Sequence, residues 1–167
     1  AGLEIRAANG RDLWEANLSA PRVVRAVSGD FAAQTVSGPA RADRPGIGGL
    51  ILWKDERNYV VLERGRWGAS DVCLRACLKN EDQVIGRGRL VSDQLTLRLE
   101  RVGNQVTGLC SNDGVHWQRV GLVDLSVADP VEVGIHAIGE IDRSIDNGAF
   151  PEGTAMRFAV FEEYLGL

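Results

Sequence analysis

The chain has 167 residues, 44% of them hydrophobic, 25% charged and 6% aromatic, and a formal net charge of −4. Length and apolar content suit one domain with a substantial core, so 1–167 is read as a single domain. Twenty glycines and five prolines are too few for a low-complexity chain; no apolar run is long enough for a membrane span, and the mildly acidic balance argues against a nucleic-acid partner, which would require concentrated Lys and Arg.

In chain order, Leu3–Ala7 is the first strand candidate, closed by the Asn9-Gly10 turn pair. Arg11 to Leu18 carries Asp12 and Asn17 and supports one helical turn at most. Arg22–Val27 and Phe31–Val36 flank Ser28-Gly29-Asp30. Gly49 to Trp53 and Tyr59 to Leu62 are apolar on both faces and read as central strands covered on two sides. The link between them leaves the parity of Trp53 against Tyr59 open. Val72, Leu74, Ala76 and Leu78 then alternate with Cys73, Arg75, Cys77 and Lys79. Val84–Gly86 follows, with Gly86-Arg87-Gly88-Arg89 read as a bend. Leu95, Leu97 and Leu99 alternate with Thr96, Arg98 and Glu100. Val106–Cys110 and His116–Val120 flank Asn112-Asp113-Gly114, while Val131, Val133, Ile135 and Ala137 alternate with Glu132, Gly134, His136 and Ile138. Ala155–Glu163 is the last strand candidate. The two-residue period predicts half-buried strands, and no long window keeps a helical period. About a dozen such strands imply an all-β fold, a two-sheet antiparallel jelly-roll β-sandwich.

Cys73 and Cys77 share one strand face at a separation of roughly 13 Å, too far to bridge each other, whereas either could meet Cys110 from a neighbouring strand. Three cysteines make no disulfide framework, and the expectation is small buried thiols, a usage that leans to a reducing compartment. The chain opens on Ala, with no basic segment leading into an apolar one, and reads as a processed product or an excised domain. Its compartment is unassigned.

Several segments, in this order, resemble a known group. They are Gly10-Arg11-Asp12-Leu13-Trp14, Ala20-Pro21-Arg22-Val23-Val24, Gly48-Gly49-Leu50-Ile51-Leu52-Trp53-Lys54-Asp55, Asn58-Tyr59-Val60-Val61-Leu62-Glu63, Ser111-Asn112-Asp113-Gly114-Val115-His116-Trp117 and Val131-Glu132-Val133-Gly134-Ile135. Together they look like bacterial concanavalin A-like (laminin-G-like) domains, in the group that includes the regulation-of-enolase protein. The resemblance implies a jelly-roll sandwich of two antiparallel sheets. It also implies a non-catalytic, lectin-like module that binds carbohydrate or is attached to neighbouring protein domains, in families where secretion is also found.

Catalytic patterns are weak. Ser111 to Trp117 fails the spacing of the sialidase Asp-box and reads as a structural hairpin. Glu140-Ile141-Asp142 begins like the catalytic strand of a glycoside hydrolase, but Ser144 stands where the second carboxyl group is needed, so the acid pair is missing. No cofactor is expected, except that the loop carrying Glu140, Asp142, Asp146 and Asn147 offers oxygen ligands for calcium, with Asp142 and Asp146 as the metal candidates. Asp124 and Asp129 offer a second cluster. The binding candidates lie on the polar parity of otherwise apolar strands: Glu63, Arg75, Arg98 and His136, with Trp53, Tyr59 and Trp67 as aromatic platforms for a sugar in the concave face of one sheet. The competing expectations are solvated cross-strand ion pairs on a structural or protein-interaction domain.

Overall fold

In the computed structural model, which describes residues 2–140 and 153–167, twelve strands form two six-stranded antiparallel sheets. They are β1 (Leu3–Ala7), β2 (Arg22–Val27), β3 (Phe31–Pro39), β4 (Ile47–Asp55), β5 (Asn58–Gly65), β6 (Gly68–Leu78), β7 (Glu81–Arg89), β8 (Leu95–Val102), β9 (Gln105–Ser111), β10 (Gln118–Asp124), β11 (Val131–Ile138) and β12 (Thr154–Leu165). The first sheet runs β1-β12-β3-β8-β9-β10 and the second β2-β11-β4-β5-β6-β7.

Alternation builds the core. Leu95, Leu97 and Leu99 of β8 are fully buried and meet Leu50, Leu52, Val60, Leu62 and Leu74 of the facing sheet. Residues between them on β8, such as Thr96 and Arg98, turn to the other side and are half-buried. The expected helical turn between Arg11 and Leu18 is not formed. Trp14 and Asn17 instead exchange both backbone hydrogen bonds (3.0 and 3.1 Å) around Glu15 and Ala16, because the Asn17 amide holds the Gly10 carbonyl and competes with helix formation. Gly86 to Arg89 lies within β7 rather than in a bend: Gly88 is paired with Val72 and Arg89 with Asp71.

The Trp53 and Tyr59 parity is settled by a two-residue turn, Glu56-Arg57, with an irregularity at Lys54, so that the two rings sit directly opposite each other. Cys73 and Cys77 point to the outer side of β6, whereas Cys110 lies in the core between the sheets, and all three are free thiols.

Candidate functional site

The second sheet has a second apolar cluster on its outer side, and the chain itself covers it. Leu13 and Ala20, from the segment joining β1 to β2, pack on Ile47, Ile51, Val61 and Ile138, with Trp53, Tyr59 and Cys77 in the same cluster. Trp53 and Tyr59 are stacked with ring centroids 5.1 Å apart, and the Arg22 guanidinium lies 4.1 Å over the Trp53 ring. The segment is tied down by Ala20 N–H to the Asp12 carbonyl (3.0 Å), by Gly139 N–H to the Arg11 carbonyl (2.8 Å) and by Glu15 N–H to Asp82 Oδ2 (2.8 Å).

A charged cluster lies on the same sheet face. One row across the sheet reads Arg22, His136, Gly49, Glu63, Cys73, Arg87. Gly49 puts no side chain between its neighbours, and a Cβ there would stand 2.1 Å from the Leu62 carbonyl oxygen. Across that gap His136 Nε2 meets Glu63 Oε2 at 3.0 Å. Glu63 Oε1 also accepts from Arg75 Nε (2.8 Å) and Arg66 Nε (2.6 Å), and Arg66 Nη2 reaches Asp12 Oδ1 (2.6 Å). Two carboxylates and two guanidiniums therefore balance within a face from which Glu63 and His136 are wholly excluded from solvent.

Burial alone would raise the Glu63 carboxyl, but the Arg66 and Arg75 charges and the His136 hydrogen bond outweigh it and hold the group well below the usual carboxylate range. Burial pushes the Cys73 thiol up, and Glu63 beside it adds to the effect. Trp14 forms the roof, its ring centroid 4.8 Å from the Arg75 guanidinium and 5.9 Å from that of Arg66. Arg75 Nη1 and Nη2 beneath that ring, and His136 Nδ1 on the same sheet face, have no hydrogen-bond partner among the described residues. At the rim Trp67, in the β5–β6 turn, stacks with Arg87 at 4.7 Å, and Arg87 pairs with Asp71.

Five of the seven binding candidates lie on one sheet face, but four (Glu63, Arg75, His136 and Tyr59) are at most 1% exposed and Trp53 is 8% exposed. The expectation of an open concave face is corrected: residues of the β1–β2 segment seal it. Trp67 adjoins this face and is half-buried. Arg98 belongs elsewhere, on β8 of the other sheet, where Nε donates to Glu100 (2.6 Å), Nη1 to Gln34 (3.1 Å) and the guanidinium lies 5.1 Å over Tyr164. Sequence reasoning missed Asp12, Trp14 and Arg66. Their signals were a tryptophan between Leu13 and Glu15 in a connection with no periodic pattern and an arginine next to Trp67 in a tight turn.

Asp142 and Asp146 lie outside the described residues. Among the described residues no group of three or more His, Cys, Asp or Glu is arranged to hold a metal ion. Asp129 is engaged instead by Arg101 Nη1 (2.5 Å) and the Gly29 N–H (2.9 Å). No helix among the described residues is long and apolar enough to cross a membrane.

No family model matches the chain, and no curated protein does. Solved structures share its fold. A functionally unknown protein from Saccharomyces cerevisiae superposes with a TM-score of 0.76 at 15% identity, covering 99% of this chain and 89% of that one. The GH43 protein BlXynB from Bacillus licheniformis gives 0.76 at 16% identity, with 98% of this chain matching 32% of that one. The carbohydrate binding module CBM66 from Bacillus subtilis gives 0.57 at 13% identity, covering 84% and 77%. At these identities the likeness shows the two-sheet sandwich.

Proposed function

We propose that the chain is a non-catalytic recognition module that binds carbohydrate at the rim of the covered face, around Trp14, Asp12, Arg66 and Trp67. The observation that carries this reading is a pair of half-exposed indoles, Trp14 and Trp67, beside an Arg66–Asp12 pair fixed at 2.6 Å, above a floor with unpartnered polar atoms. A sugar offers an apolar C–H face and paired hydroxyls, and it is held by a ring face beside fixed donors and acceptors. The fold likeness to CBM66 supports the reading. Catalysis fits the cluster poorly: Glu63 is buried under three donors, and the Cys73 thiol is held in its protonated form.

A second reading, a domain that docks other domains of a larger protein, is favoured by the match to only a third of the GH43 protein's length. Calorimetric titration of the folded chain with a panel of oligosaccharides at millimolar concentration separates the two. Binding is expected, weakened about tenfold or more by Trp14→Ala and unchanged by Arg11→Ala. No binding by a folded chain would leave the docking reading; equal binding by Trp14→Ala would remove the assigned rim.

A further inference from the structure

On one side the sandwich is shut. The end strands β7 and β10 approach so closely that a Cβ on Gly86 would lie 1.9 Å from the Val120 carbonyl oxygen. The opposite side is open. There β1 and β2 end their sheets, and among the described residues neither pairs along its outer edge. Between them runs an apolar groove of about 320 Å³ lined by Leu3, Val23, Val24, Ile135, Phe158 and Phe161. Leu3 is 45% and Val23 56% exposed. An unpaired edge beside exposed apolar surface is a template for another strand.

The two edges differ in charge pattern. β2 carries Arg22 and Arg25 and no acidic residue, so an antiparallel second β2 has no opposite charge to set across from either. β1 reads Leu3-Glu4-Ile5-Arg6-Ala7. An antiparallel second β1 centred on Ile5 sets Glu4 opposite Arg6 and Arg6 opposite Glu4. Both side chains already lie on one solvent-facing side, where Arg6 Nε donates to Glu4 Oε1 at 2.8 Å. Opposite charges directly across an antiparallel pair stabilise it, and like charges do the reverse.

We propose that two copies of this chain associate through β1, antiparallel about a two-fold axis at Ile5. Their six-stranded sheets join into one continuous sheet, and the Leu3 end of the groove is covered. The occupant is a second copy because β1 is its own charge complement, and a two-fold axis gives each copy the same contacts. Sedimentation equilibrium of the full chain from micromolar to millimolar concentration tests this at low salt. The wild type is expected to dimerise, Glu4→Arg to dimerise about tenfold or more weakly, and Glu4→Arg with Arg6→Glu to recover to within about threefold. A folded wild type that stays monomeric throughout overturns the proposal. So does a Glu4→Arg variant that dimerises as tightly, or a charge-reversed double variant that does not recover.

Discussion

Glu63 shows how one residue can organise a face. It is a carboxylate that follows the doubly apolar run Tyr59 to Leu62 on β5, and its burial is tolerated because Arg66, Arg75 and His136 all reach it. A buried ion pair is weak grounds for stability relative to apolar packing, but removing one partner strands the others. Glu63→Gln leaves two guanidiniums facing a neutral amide and is expected to cost about 3–5 kcal/mol in denaturant unfolding at neutral pH. The pH dependence has a definite sign. Because the folded carboxyl lies below its unfolded value near 4.3, its contribution is whole above that value and drains away as pH falls through the folded one. Glu63→Gln should therefore flatten the acid limb of the stability curve, and a variant as stable as the wild type with the same acid limb would refute this account. The charge itself was legible from strand parity. What covers it was not, because the covering residues come from a segment with no periodic signal.

At the scale of elements, the β1–β2 segment acts as a cover built without regular structure. Leu13 is fully buried beneath it, Asp12 is tied to Arg66, and the tight Trp14–Asn17 turn carries the roof ring. Leu13→Ala removes the apolar plug and is expected to cost about 2–5 kcal/mol. If the cover opens as a unit, amide exchange at Trp14 and Asn17 should rise more than in the β8–β9 ladder; a uniform rise across both would mean that the cover opens only with the whole fold. The sequence held a clue that outweighs the open-groove expectation. Gly49 to Trp53 and Tyr59 to Leu62 are apolar on both faces, which requires cover on both sides, and Leu13 and Ala20 supply it. The turn that Asn112-Asp113-Gly114 predicts joins β9 and β10, with β10 starting at Gln118 rather than at His116. The hydrogen bond of the Asp113 carboxylate with the His116 ring, and then the bonds it accepts from the His116 and Val115 N–H groups at 2.7 and 2.8 Å, hold its pKa well below the usual range.

Across the whole molecule, alternation made the sandwich legible, because leucines at every second position of β8 need a second apolar layer, and with no helical period elsewhere in the sequence that layer is another sheet. What alternation cannot show is which sheet a strand joins. Arg98 and Arg75 share the same parity pattern, yet β8 and β6 belong to different sheets, since strand order depends on long-range pairing. The cysteines report on the integrity of this arrangement from three places. Cys73 lies beside Glu63, Cys77 in the outer cluster of the same sheet and Cys110 in the core between the sheets. Burial pushes all three thiols up, and each is at most 4% exposed. A thiol reacts as its thiolate, so both protonation and lack of access protect these positions. With a disulfide-exchange reagent at neutral pH, the native chain should therefore show essentially no reactive thiol, and all three should titrate in denaturant. If the sheets separate only in global unfolding, the slow native reaction of all three should share one rate. Fast reaction of Cys73 and Cys77 with Cys110 still protected would instead show the β1–β2 cover lifting while the sandwich stays closed. Fast reaction of Cys110 in native protein would contradict the sheet packing itself.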